Sequence, residues 1–302
     1  MANRPSPLPQ AKQVRVLETA YYRLFKSLSG ALLDLEPGSY TSAKAAALVQ
    51  KTKTDIRELN QKAMAWSGAV IPAAYRDSQG IARARLRKIG AKENPRFKQS
   101  VHQKAIDKEV DETDDYLIKA NLSIQKKILL YVSMTGRLSK RINAAQLQAF
   151  NVGGIEDKAA GLLNEAIKAG ASRGKLDQIL REHFKRALYK REWIKIKCKD
   201  GITRNYDLIK YARLVGRTQI REVQSAAVIK SCEEWDNDLV EVSSHGTDCA
   251  ICLEFEGNVY SLAGKTPGYA ILPDSPAYHP NCEHYISPTS LEAITVRERR
   301  AA

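Results

Sequence analysis

A chain of 302 residues is longer than one compact core usually organises, so two domains, with an arm or linker, are the expectation. No run of eighteen apolar residues occurs, and the opening stretch MANRPSPLPQAKQ has no apolar centre; neither a membrane span nor a secretory signal is expected, and the reading is a soluble chain made in a cytoplasm with no membrane partner. The net charge of +14 is uneven: residues 236–302 hold four Lys/Arg against ten Asp/Glu, which leaves +20 on residues 1–235, an excess suited to nucleic-acid phosphates or, more blandly, to a lysine-rich solvated surface.

Residues 1–11 are Pro-rich and polar and read as a flexible arm. Val14, Leu17, Tyr21, Leu24, Leu28 and Leu32 recur at three- and four-residue steps, which predicts a helix stopping before Glu36-Pro37-Gly38. A second helix, capped by Thr41 or Ser42, carries Ala45, Leu48, Val49, Thr52, Ile56, Leu59 and Ala63 on one stripe as far as Trp66. Between 68 and 100 that period is lost among Gly, Pro and the cations Arg83, Arg85, Arg87 and Lys88, and an exposed basic loop or short helix is expected. The acidic run Asp107 to Asp115 follows; it offers the basic run an internal partner, the alternative to contact with DNA.

A helix through Leu117, Ile124, Ile128 and Val132 comes next, and another is predicted near 157–169. From Ser172 to Arg191 an amphipathic helix presents a basic face of Arg173, Lys175, Arg181, Lys185, Arg186 and Lys190, although Lys and Arg are also good helix formers. At Ile194 the period changes from 3.6 to 2 and Asp200-Gly201 marks a hairpin turn. Asp207 introduces a long helix through Ala212, Val215, Val223 and Ala227; Leu239–Val242 and Val259–Leu262 read as strands. The fold class is therefore a mainly α N-terminal region followed by a small α+β, zinc-stapled C-terminal domain. Its parts are the arm 1–11, a basic helical domain 12–191 and the α+β domain 192–302.

Five cysteines, an odd number without a secretory signal, argue against a disulfide framework, and three fall close together. Cys249-x-x-Cys252 and His279-x-x-Cys282 are two close ligand pairs of the kind a tetrahedral structural Zn2+ site takes, joined by a Gly/Pro-rich excursion that would be costly to order without metal. His284 is a substitute ligand or a neighbour of the ligands, and His245 ranks last. A structural role is favoured over catalysis, which needs an open metal position and a general base.

Four stretches resemble the phage minor head or minor capsid proteins, the MuF-like head morphogenesis group. They are Tyr211-Ala-Arg-Leu-Val-Gly-Arg217-Thr218-Gln219, Asp238 to His245, Cys249 to Leu262, and Tyr278 to Pro288, in the family's order over about residues 205–288. The resemblance implies a structural, non-enzymatic protein of a tailed phage. It would sit in the virion, inside the capsid near the portal, after assembly in the host cytoplasm, and act in head morphogenesis and in DNA packaging or ejection. Implied partners are the portal protein, the major capsid or scaffold protein, and double-stranded DNA bound without sequence preference. Within the motif, Arg217 is expected to make a buried or half-buried ion pair, with Glu222 near Arg221, and Thr218 a hydroxyl bond back to its own helix. The alternative is a metal-dependent nuclease of treble-clef type, although no Asp-His or His-His pair occurs to activate water.

Overall fold

The computed structural model describes residues 10–35, 40–139, 193–197, 201–244, 249–273 and 284–301, with isolated positions at 165, 169–170, 175, 178–179, 182, 191 and 246. Three long helices come first: α1 (Gln10–Leu33), α2 (Ser42–Lys88) and α3 (Ser100–Ser139). After the hairpin β1 (Ile194–Lys197) and β2 (Thr203–Tyr206) runs α4 (Leu208–Glu234). Then follow β3 (Leu239–Val242), the single turn α5 (Ala250–Leu253), β4 (Val259–Ser261), β5 (Ile286–Pro288) and α6 (Leu291–Ala301). The region is mainly helical with a small α+β part after it, as the periodicities predict.

Local chemistry sets several boundaries. Thr41 caps α2, its Oγ1 accepting from Lys44 N at 3.1 Å, and Asp207 caps α4, its Oδ1 accepting from Ile209 N and Lys210 N at 2.9 Å each. Gln10 and Ala11, assigned to the arm by composition, already belong to α1. The helix predicted near 157–169 and the basic helix Ser172–Arg191 fall largely outside the described residues; Lys175 and Glu182 are helical positions within them.

One expectation is corrected. Residues 68–88 are not a loop but the second half of α2, which runs unbroken through Pro72. Its buried stripe continues as Ser67, Ile71, Ala74, Tyr75, Ala82 and Leu86, small or polar enough that a hydrophobic count does not register it. The acidic run likewise lies on a helix, the first half of α3, whose buried positions include His102, Glu109 and Thr113.

The chain divides into two compact units, residues 18–62 with 117–211, and residues 1–17 with 63–116 and 212–302. In the first, Tyr21, Leu28, Leu59, Leu117, Ile124 and Ile194 are fully buried. The Tyr131 hydroxyl there donates to the carbonyls of Leu32 and Leu35 at 3.2 Å, closing the C-terminal end of α1. The antiparallel hairpin pairs Ile194 with Tyr206 and Lys197 with Thr203, and Phe25 packs on Trp193 with ring centroids 5.3 Å apart.

The second unit contains the three-stranded antiparallel sheet in the order β4-β3-β5, with Val240 opposite both Tyr260 and Pro288. Ala82 and Leu86 of α2, Val228 and Cys232 of α4, Trp235, and Val240, Val242, Tyr260 and Ile286 of the sheet form one apolar cluster. The long helices thus supply the platform on which the sheet, and everything attached to it, is laid.

Pro72 offers a direct check, because it denies the carbonyl of Gly68 its helical partner. Pro72→Ala restores that bond and is expected to stabilise the chain by about 1–3 kcal/mol. A higher urea midpoint at unchanged slope is the expected result; a lower one would mean that packing of the ring outweighs the missing bond.

Candidate metal centre

Cys249 stands at the N-terminus of α5 in an extended conformation (φ −76°, ψ 113°), and its carbonyl accepts from Cys252 N and Leu253 N at 3.0 Å each. The carbonyl of Cys252 in turn accepts from Phe255 N and Glu256 N at 3.0 Å. Gly257, with φ +74°, reverses the chain so that its N–H reaches Val242 O at 3.2 Å, while Val242 N donates to Asn258 O at 3.0 Å. The two cysteines therefore ride a tight turn sewn to the end of β3. Cys252 is buried, Cys249 half-buried, and both carry thiols rather than disulfides.

His284 arrives from the other side of the sheet, just before β5. Ser243 N donates to Tyr285 O at 2.9 Å and Tyr285 N to Ser243 Oγ at 3.0 Å, which fixes the approach. Its Nε2 lies 3.1 Å from Glu256 Oε1, and the two side chains are only 4% and 8% exposed. A carboxylate on one ring nitrogen fixes the orientation of an imidazole, the usual arrangement behind a metal-binding histidine. Paired thiols on a turn with such a histidine nearby have the chemistry of a structural zinc site. Among the described residues, however, Cys249, Cys252 and His284 do not converge as a three-donor group; the three-donor group that does form lies on α3 and α4. His245, His279 and Cys282 lie outside the described residues.

The Gly/Pro-rich excursion has an anchor that the sequence reading missed. The Asp238 carboxylate accepts from Ser261 Oγ at 2.6 Å, Ala263 N at 2.8 Å, Thr266 N at 2.9 Å and Thr266 Oγ1 at 2.8 Å. Burial alone would raise its pKa, but these donors outweigh burial and hold it below the ordinary carboxylate value. An aspartate one residue before a strand, with a Ser closing the next strand and a Thr beyond it, was the available signal.

Three of the four α2 cations expected to meet a partner are engaged within the chain. Arg83 forms a bidentate pair with Glu234, Nε to Oε2 and Nη2 to Oε1 at 2.7 Å each; Arg85 lies 3.7 Å from Glu241, and Arg87 sits 5.5 Å over the Trp235 ring. These partners differ from the expected acidic run on α3. Lys88 is exposed at the end of α2, and Lys175 reaches Gln178 at 3.3 Å, while Arg173, Arg181, Lys185, Arg186 and Lys190 lie outside the described residues. In the α4 motif Arg217 is exposed rather than buried, because it falls on the outer face of the helix. Thr218 Oγ1 is buried without a hydrogen-bond partner, so the expected bond back to its helix is not made.

Glu234 gathers more than Arg83. Gln99 Nε2 donates to its Oε1 at 2.8 Å, His102 Nε2 lies 3.3 Å from its Oε2, and Tyr75 Oη lies 2.7 Å from His102 Nδ1. Burial drives the Tyr75 hydroxyl far above its ordinary pKa, so it stays protonated and donates to Nδ1; the ring then donates through Nε2 to Glu234. Burial would raise the Glu234 carboxyl, but its donors and the charges of Arg83 and His102 hold it low. Burial of His102 outweighs the pull of Glu234 and keeps its pKa below the ordinary 6.5.

With a depressed His102, the unfolded chain takes up the proton first, so this residue contributes stability above about pH 6.5 that is lost as pH falls towards the folded pKa. Glu234 and Asp238 contribute stability that is lost only at lower pH, below the ordinary carboxylate range. Glu109, raised to about 7 by burial and by Glu112 and Glu222, acts in the opposite direction between its ordinary 4.5 and 7. The comparison of wild type with His102→Gln isolates the histidine: urea unfolding should show a less positive slope of stability against pH below about 6.5 in the variant, with the carboxylate limb kept. Superimposable slopes would remove His102 from the account.

No curated protein and no solved structure matches the chain. Residues 194–296, about a third of the chain, match the family model described as Phage minor capsid protein 2, covering the stretch from β1 into α6 in which the resemblance was seen. That C-terminal third, with its sheet, its cysteine turn and its Asp238-anchored excursion, is the part of the chain that is similar to phage minor capsid proteins.

Proposed function

We propose that the chain is a structural phage head protein that acts at the portal vertex. In this reading its basic N-terminal three quarters meet the portal, the capsid or scaffold, or packaged DNA, and its C-terminal part is stapled by Zn2+. The family match over residues 194–296 carries the structural role, and the charge division of +20 against −6 supports a polyanionic partner for the rest. Cys249, Cys252, His279 and Cys282 would hold the metal, which supplies binding energy to the fold when bound. His284, fixed by Glu256, supports that shell. At 4% exposure its ring is out of reach of a scissile phosphate, which weighs against the nuclease reading.

Two measurements test the metal and the partner. Purified protein should contain one zinc per chain, lost in Cys252→Ser, and a chelator should open the region after β3 to protease before the helices. A metal-free wild type of equal protease resistance would end the stapling idea. For the partner, the full chain should capture portal protein in a pull-down, and capture of capsid protein alone would move it off the vertex.

DNA affinity should fall linearly with salt on logarithmic axes, and Lys88→Ala should reduce the slope by about 1. Arg83→Ala should instead lower thermal stability, because it strands the Glu234 carboxylate. Binding insensitive to salt would argue against the phosphate partner.

A further inference from the structure

Glu109 and Glu112 lie one turn apart on α3, and Glu222 faces them from α4; one carboxylate oxygen of each lies within 4.8 Å of the others. Glu109 is 7% exposed, and its Oε2 is buried with no hydrogen-bond partner. Lys108 Nζ lies 4.0 Å from Glu109 and 3.5 Å from Glu112, and its side chain is 67% exposed. Glu222 Oε2 accepts from Gln219 Nε2 at 2.6 Å, and Gln219 Oε1 lies 2.9 Å from Thr113 Oγ1. That chain of contacts holds α3 and α4 in register at the cluster.

Three carboxylates converge at a partly buried place, and the orphaned Glu109 oxygen points to a missing group there. Side chains on facing helices are the usual way a bundle builds a metal site, and carboxylate oxygens are ligands for hard cations. Oxygens bound to one such ion at 2.0–2.6 Å stand no more than about 5 Å apart, which the 4.8 Å grouping satisfies.

We propose that Glu109, Glu112 and Glu222 bind a hard divalent cation of the Mg2+, Mn2+ or Ca2+ class between α3 and α4, apart from the thiol site. The ion would bridge two helices and receive the unpartnered Glu109 Oε2.

The test uses the full chain kept saturated with zinc, so that the cysteine turn is not in play. Mn2+, counted by loss of the electron paramagnetic resonance signal of the aqueous ion, should bind at one site per chain, and Mn2+, Mg2+ or Ca2+ should raise the melting temperature. Glu222→Gln and the more exposed Glu112→Gln should each weaken Mn2+ binding about tenfold or more, with circular dichroism unchanged, while Cys252→Ser leaves it intact. No binding or thermal response to any of the three ions up to ~10 mM, weaker than the weakest protein sites of this kind, would overturn the site. Equal binding by both Glu variants would overturn it as well, since the ion would then be held by surface charge. A gain in stability of Glu109→Gln with no cation response in wild type would assign the cluster to a shared proton instead.

Discussion

The C-terminal part of this chain is positioned by one carboxylate. Glu234 is the last residue of α4, and it accepts from Arg83 of α2 through two bonds, from Gln99 just before α3 and from His102 on it, while its own carbonyl accepts from Asn94 N at 2.7 Å. Three segments far apart in sequence thus converge on one side chain that is 9% exposed. A buried charge tolerates no half measures: removing one partner of such a pair typically costs about 3–5 kcal/mol, because the other is left desolvated. The next residues, Trp235 to Asp238, lead directly into the central strand of the sheet. Fixing Glu234 therefore fixes where β3 starts, and with it the cysteine turn and the excursion that β3 organises.

Why much of this was legible in sequence, and this clamp was not, has a physical reason. The hairpin, β3, β4 and the caps at Thr41 and Asp207 follow from alternation and from local side-chain chemistry, which need only neighbours in the chain. The second half of α2 and the first half of α3 are buried through Ser67, Ala74, Tyr75, His102, Glu109 and Thr113, so their periodicity is one of shape and hydrogen bonding rather than hydropathy. Gly68, Pro72 and Gly80 read as breakers, yet a helix packed along its length absorbs such costs. Arg83 was recognisable as a cation but not as the partner of Glu234, which lies 151 residues away.

A polar stripe between packed helices changes what the unit is good at. Ser67 donates to Asp114, Thr113 meets Gln219, and Tyr75, His102 and Glu234 form a chain, so sliding one helix along another breaks several bonds together. An apolar interface of the same size would be at least as stable but would tolerate neighbouring registers more easily. In the proposed role of a structural head protein a defined register would be the useful property, because surfaces that meet partners of fixed geometry need one.

The same logic separates what holds the excursion from what a metal would hold. Asp238 secures residues 261–266 with hydrogen bonds, and Ser261 secures the stretch beyond, its N–H donating to Ala270 O and its carbonyl accepting from Leu272 N, at 2.8 Å each. The entropy that seemed to require zinc is thus met, in this half of the excursion, by donors built into the chain. The proposed metal on Cys249 and Cys252 would act elsewhere, on the turn that follows β3. The ionic and hydrogen-bonded anchors of Glu234 and Asp238 set the sheet against the helices, and a zinc staple on the cysteine turn would add to a part of the chain already placed.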